Sequence, residues 1–118
     1  MSIFQNSIET RENHKNPNLR TRYYKNSFKQ VKKAIEKICS EEDMQLQEVN
    51  ERFGEMYICA YGYEVFVTSI EISPIETSVD FKINYFSTFG WNRPEKKAIH
   101  LYDRLNKMLI YRGQMLHP

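Results

Sequence analysis

The chain has 118 residues, a formal net charge of +2 at pH 7 and 41% hydrophobic residues, a composition that indicates one globular domain. No apolar run approaches the roughly 18 residues of a membrane-spanning helix, and the first residues lack the charged and apolar regions of a signal peptide. These features argue against a disordered, fibrous or helical membrane protein, and we expect a cytoplasmic one.

The first third of the chain contains an irregular arm followed by a helix. Residues 1–22 show no regular apolar period and include a polar, turn-rich cluster at 13–18, so we expect a flexible or docked arm. Apolar residues then recur at helical spacing, and Ser27 is expected to cap the helix in a capping box with Gln30. Together these features predict a helix over about 28–41.

The middle of the chain is predicted to form four strands. Weak alternation over about 45–51 and clearer alternation over about 55–61 indicate the first two. The strongest alternation lies in 64–86, where two runs flank a turn at 73–76. One side of these runs carries Phe66, Thr68, Ile70 and Ile72 in the first and Val79, Phe81, Ile83 and Tyr85 in the second. We expect this side to face the helices.

A second helix is predicted over about 93–112. Asn92 is expected to cap its start together with Glu95, and Gly113 is expected to follow its end. The predicted fold class is α+β, in the order α-β-β-β-β-α, with a four-stranded antiparallel meander sheet and two helices packed on one face. The single domain spans 23–113, and the last five residues form a frayed tail.

The other side of the predicted sheet is half apolar and is the main candidate for function. It carries Tyr57, Cys59, Tyr61, Val65, Val67, Asp80, Lys82 and Asn84. Exposed apolar surface usually marks contacts, so the arm, a ligand or a second copy of the chain is expected to cover this side. We predict a non-catalytic binding or protein-interaction module, with a homodimer as one expected arrangement. Its candidate contacts are Tyr57, Tyr61 and Val67.

The loop at 87–93 is a second candidate binding site. Trp91 is the single tryptophan, and it can frame a small pocket together with Phe89. Arg93 stands at the start of the predicted helix, where free backbone N–H groups attract anions. The alternative is structural, with Trp91 packed over the end of the sheet and Asn92 capping the helix.

The charge distribution supports an alternative function. Residues 1–33 and 92–118 have an excess of Lys and Arg, whereas 34–91 carry eleven acids against three bases. Such asymmetry can steer a partner, or it can match basic helices to acidic strand edges inside the fold. A mixture of bases and aromatics suits nucleic acid, and the alternative prediction is a nucleic-acid-binding protein that uses the arm and helices. The stretch with this mixture consists of Arg20, Arg22, Tyr23, Tyr24 and Lys25.

The sequence contains no recognisable catalytic, metal or cofactor motif. The histidines His14, His100 and His117 are scattered and lack the spacing of metal ligands. Cys39 and Cys59 lack the close pairing of a zinc site, and we expect them to be buried thiols. We therefore expect no enzyme activity, no metal and no cofactor.

An aspartate-bearing strand, a loop with Ser and Gly, and an Asn-Arg step into a helix follow one another over 79–105. The residues concerned are Val79-Asp80-Phe81-Lys82-Ile83, Ser87, Gly90, Asn92-Arg93, Tyr102 and Leu105. This arrangement resembles the C-terminal half of some small bacterial domains of unknown function. The whole chain, rich in Lys, Asn and Ile, is similar to uncharacterised small cytosolic proteins of low-GC Gram-positive bacteria. Neither resemblance implies an activity.

Overall fold

The computed structural model describes residues 6–90 and 92–114, which form two helices and one antiparallel sheet. The helices are α1 (Phe28–Glu41) and α2 (Arg93–Met108), and a short 3-10 helix spans Pro17–Leu19. The strands are β1 (Asn6–Glu9), β2 (Arg22–Tyr24), β3 (Gln45–Asn50), β4 (Glu55–Ala60), β5 (Tyr63–Ser73), β6 (Glu76–Tyr85) and β7 (Tyr111–Gly113). The predicted α+β class with an antiparallel sheet is confirmed.

Within the described residues the sheet has seven strands, so the predicted count of four is wrong. Strands β3 to β6 form the expected meander, and the sheet continues through β2 to β7. The free side of β6 is shared by two short strands, because Arg22 lies opposite Val79 and Ile8 lies opposite Ile83. The arm and the C-terminal end therefore complete the sheet with segments too short to show a period in the sequence.

The pairing of β5 with β6 fixes which side of β5 is buried. Val65 lies opposite Ile83 and Val67 opposite Phe81, and directly opposed residues share a face of the sheet. All four of these side chains are buried, whereas Phe66 is 38% exposed. The prediction that Phe66, Thr68, Ile70 and Ile72 face the helices is therefore wrong. Strand β5 has apolar residues on both sides, so only its pairing with neighbours sets the phase.

One hydrophobic cluster contains buried residues from both helices and from the central strands. Helix α1 lies against β3 and β5, α2 lies against β1 and β6, and the two helices contact each other. Ser27 and Gln30 form the predicted capping box at the start of α1, which spans the predicted residues. We call the side of the sheet that carries Val65, Val67, Phe81 and Ile83 the buried face, and the opposite side the open face.

Helix α2 begins at the predicted residue, but it lacks the predicted cap and ends at Met108 instead of about 112. Asn92 has a left-handed backbone with φ of 58°, and its side chain makes no capping hydrogen bond. The helix ends at Met108 because the chain then extends towards β7. Just before that strand begins, Lys25 N donates to Ile110 O at 2.7 Å. The Asn26 side chain accepts a hydrogen bond from Ile110 N at 2.8 Å, which fixes the same turn.

Candidate binding face

The centre of the open face is a pair of aromatic rings on neighbouring strands. Tyr57 on β4 lies opposite Phe66 on β5, and their ring centroids are 4.8 Å apart. The Tyr57 hydroxyl donates to Glu64 Oε1 at 2.8 Å, and Asn84 Nδ2 donates to Glu64 Oε2 at 2.9 Å. These bonds hold both oxygens of the Glu64 carboxylate and orient the tyrosine ring beside it.

Hydrogen bonds to Cys59 and to the Glu64 carboxylate raise the pKa of Tyr57 above its ordinary value. The phenol therefore stays neutral at physiological pH and acts as a donor. A neutral ring with a fixed hydroxyl offers apolar contact area and a cation-binding face at little cost in conformational entropy.

An apolar strip continues from the aromatic pair along β5. Successive open-face positions on this strand are Phe66, Thr68 and Ile70, and the Ile70 side chain is 47% exposed. Beyond the strip, Phe53 in the turn before β4 and Ile75 in the turn before β6 are also exposed. Contiguous exposed apolar side chains of this kind are typical of contact surfaces, whereas scattered ones are ordinary.

Carboxylates surround the strip. Glu48 lies opposite Tyr57, Glu55 opposite Thr68 and Glu64 opposite Cys59, so these three carboxylates belong to the open face. A depression of about 480 Å³ opens here. Its lining residues are Glu48, Asn50, Glu55, Met56, Tyr57, Phe66, Val67 and Thr68. The basic side chain on the central strands of this face is Lys82, opposite Phe66. The surface therefore combines aromatic rings with an excess of negative charge.

Asp80 lies at the point on β6 where β1 ends and β2 begins, and it ties the arm to the sheet. Its Oδ1 accepts hydrogen bonds from the Thr10 hydroxyl at 2.7 Å and the Thr21 hydroxyl at 2.8 Å. The Tyr102 hydroxyl of α2 donates to Val79 O at 2.8 Å and to Thr10 Oγ1 at 3.1 Å. Burial raises the pKa of Asp80, while the two threonine bonds oppose that shift. These contacts explain Asp80 as a structural residue.

Of the three predicted contacts on the second face, the structure supports the placement of Tyr57 only. Tyr61 lies fully exposed in the turn between β4 and β5. Val67 is 1% exposed and points into the core, so its predicted position on this face is wrong. The sequence reasoning missed Phe66 and Ile70, because it assigned the wrong phase to their strand.

The predicted loop site is brought together only in part. Phe89 is exposed, and its carbonyl accepts a hydrogen bond from Arg93 Nη1 at 3.2 Å. The Arg93 guanidinium lies 4.5 Å from the centroid of the Tyr85 ring. Trp91 lies outside the described residues. The Arg93 side chain therefore contacts its own loop and lies where a Cβ atom at position 90 would be.

The predicted nucleic-acid contacts are mostly inside the fold. Arg22, Tyr23 and Tyr24 are buried, and the Arg22 guanidinium lies 4.4 Å from the centroid of the Tyr102 ring. Arg20 Nε donates to a backbone carbonyl of the arm at 2.8 Å, and Lys25 is exposed. The prediction that this stretch presents bases and rings to a nucleic acid is wrong for its three central residues.

The chemistry of the remaining groups is limited in the part of the chain that the structure covers. No group of three or more His, Cys, Asp or Glu in 6–90 and 92–114 is arranged to hold a metal ion. Cys39 and Cys59 are free thiols, and burial raises the pKa of Cys39 to about 11. No helix within these residues has the length and apolar character needed to cross a membrane.

The open face therefore has aromatic, apolar and acidic parts. Comparison of the chain with known proteins gives no indication of its function. No family model matches the chain. Curated proteins and solved structures likewise give no significant match. The resemblance of 79–105 to small bacterial domains stays a prediction.

Proposed function

We propose that the protein is a non-catalytic protein-interaction module and that the open face is its contact surface. The observation that carries the proposal is the Tyr57–Phe66 ring pair, continued by Ile70, on an exposed side of the sheet. Aromatic residues held in place by hydrogen bonds are the usual anchors of protein interfaces. The Glu64 carboxylate that fixes Tyr57 supplies this support.

The charge of the face favours a basic partner. Glu48 and Glu55 are exposed beside the rings and make no ion pair within the described residues. A partner with Lys or Arg side chains would place them between these carboxylates and the ring faces, where charge and cation–π attraction act together. A second copy docked through the same face would instead oppose carboxylate to carboxylate, which disfavours the expected face-to-face homodimer.

The proposal takes both helices to lie on the buried face, which leaves the open face free. The single hydrophobic cluster supports this placement, because it joins Ile35 of α1 and Leu105 of α2 to Val67. No side chain of either helix lines the depression beside Tyr57.

A titration followed by backbone NMR tests the proposal with three defined probes. The first is a short synthetic peptide of Lys and Leu, the second has Glu for each Lys, and the third is a single-stranded oligonucleotide. We expect the basic peptide to shift amides around Tyr57, Phe66 and Ile70, and expect the Phe66→Ser variant to weaken that binding at least about fivefold. Equal shifts with the acidic peptide would overturn the proposal.

The oligonucleotide probe addresses the alternative function. Lys29, Lys33 and Lys37 are exposed on α1, so nucleic-acid binding would shift amides of this helix and weaken steeply with salt. Shifts confined to the helix, with none on the open face for any peptide, would favour that alternative over the protein-interaction module.

A further inference from the structure

The edge of the sheet beside the open face is available for pairing. Strand β3 stands at the end of the strand order, and within the described ranges it pairs with β4 alone. Its outer backbone N–H and C=O groups therefore have no strand partner there. An exposed edge of this kind is a template on which an extended peptide can add a strand.

Depressions lie on both sides of this edge. The one on the open face includes Glu48, Glu55 and Tyr57 in its lining. The second, of about 560 Å³, is lined by Lys32, Glu48, Val49, Asn50 and Glu51. On the side of β3 that faces α1, Leu46 and Val49 are half-buried and pack against the core cluster. The two sides of the edge therefore differ in chemistry. The open-face side is acidic and aromatic, whereas the other side combines the half-buried Leu46 and Val49 with the ion pair of Lys32 and Glu51.

We infer that the partner of the open face is an extended segment that adds a strand to β3 and in which basic and apolar residues alternate. Side chains of a strand alternate between faces, so every second residue would lie over the open face and the others beside Leu46 and Val49. Lys or Arg fits the first set because of Glu48 and Glu55, and aliphatic residues fit the second. This inference rests on the proposed function and specifies its partner class and binding mode.

The charge and the bulge of β3 disfavour the β3 strand of a second copy as the added strand. Glu48 is exposed on the edge, and the pairing with β4 is interrupted by a bulge between Leu46 and Glu48. Charges and bulges on an edge strand hinder pairing with an identical strand. A basic segment meets an opposite charge at Glu48, so the charge that hinders self-association favours this partner.

Four peptides of seven residues separate the binding mode from the proposed function. The first alternates Lys and Val. The second has the same composition with the lysines and valines in two blocks. The third and fourth have the sequence of the first, with N-methyl groups on the backbone amides of the lysines in the third and of the valines in the fourth. Only alternate residues of an added strand donate hydrogen bonds to β3, so one of these two peptides would lose every such bond. Affinities are measured by NMR titration of the whole chain.

We expect the alternating peptide to bind at least about tenfold tighter than the block peptide, whose lysines and valines do not fall on separate faces of an added strand. It should bind tighter by a similar factor than one of the two methylated peptides, since several hydrogen bonds are lost together. Amides of 45–50 should shift most. Equal binding of all four peptides, with shifts on the open face, would overturn the added-strand mode and leave the proposed function standing. Absence of binding by every peptide would overturn both.

Charge reversal on the protein gives a second readout. The Glu48→Lys variant should weaken binding of the alternating peptide about tenfold, because one attraction is replaced by a repulsion. The matched control is Glu36→Lys on the exposed side of α1, which should leave the affinity within about twofold. Equal effects of the two variants would show that net charge alone, and not the β3 edge, determines binding.

Discussion

The phase of β5 makes a sharp prediction about two neighbouring residues of nearly equal shape. Val67 lies between Phe81 and Met56 on the buried face, whereas Thr68 faces the open side opposite Asp80. Valine and threonine differ by one methyl group against one hydroxyl, so the exchanges Val67→Thr and Thr68→Val change polarity with almost no change in volume. The two variants therefore test burial without creating a cavity.

The expected cost of Val67→Thr follows from its 1% exposure. Loss of one buried methyl group costs about 0.8 kcal/mol, and burial of a hydroxyl without a partner costs roughly 1–3 kcal/mol. We expect the free energy of unfolding to fall by about 2–3 kcal/mol, a large part of the roughly 5–15 kcal/mol of a typical domain. Thr68→Val should change it by less than about 0.5 kcal/mol.

Urea denaturation followed by circular dichroism measures both variants under the same conditions. The midpoint should fall for Val67→Thr without a change in the denaturant slope, which would show that stability alone has changed. If Val67→Thr proved neutral while Thr68→Val stabilised the protein by more than about 1 kcal/mol, β5 would have the opposite phase, and the open face as defined here would be wrong.

Three further predictions concern a turn, a buried carboxylate and the link between the helices. Gly54→Ala should lower the free energy of unfolding, measured by urea denaturation, by about 3 kcal/mol or more, because φ is +67° and a Cβ would lie 2.0 Å from Ser69 O. Gly62→Ala is the control: φ is +84° but a Cβ would enter open space, so the loss should be only about 1 kcal/mol. Burial raises the pKa of Asp80, so the stability that this carboxyl contributes is largest below the ordinary carboxyl range and falls as pH rises through the raised pKa. Over that rise the wild type should therefore lose stability relative to the Asp80→Asn variant. A gain in stability would contradict the assignment. Hydrogen bonds from α2 lower the pKa of Glu42 despite its burial. Glu42→Gln should therefore lower the free energy of unfolding by about 1 kcal/mol at neutral pH and by progressively less at acid pH. Denaturation at several pH values measures this difference.

The helices show what local sequence signals can fix. The start of α1 was predictable to the residue, because Ser27 and Gln30 satisfy each other's backbone groups within one turn of the chain. The same reasoning failed at Asn92, where the backbone is left-handed and the side chain leaves the cap unmade. A capping motif predicts a bond only when the chain enters the helix in extended conformation, and that entry is set by the loop before it.

The sheet shows what such signals cannot fix. The run Val65-Phe66-Val67 satisfies either phase of a half-buried strand, and the choice is made by the register with β6. Strands β1, β2 and β7 have three or four residues each, too few for a period to appear. Tyr57 was predictable as a candidate contact because β4 alternates clearly, whereas its partner Phe66 was not, since it depends on the phase of β5.

Strand β6 receives β1 and β2 along one side, and β7 then adds to β2. During synthesis, residues 6–9 and 22–24 emerge from the ribosome well before their partners at 76–85 exist. The meander and α1 are built from neighbours in the nascent chain, but β1 and β2 cannot pair with β6 until residues 76–85 have been made. Contacts of such long sequence separation form slowly, so the pairing of β1 and β2 with β6 should be a late step in folding.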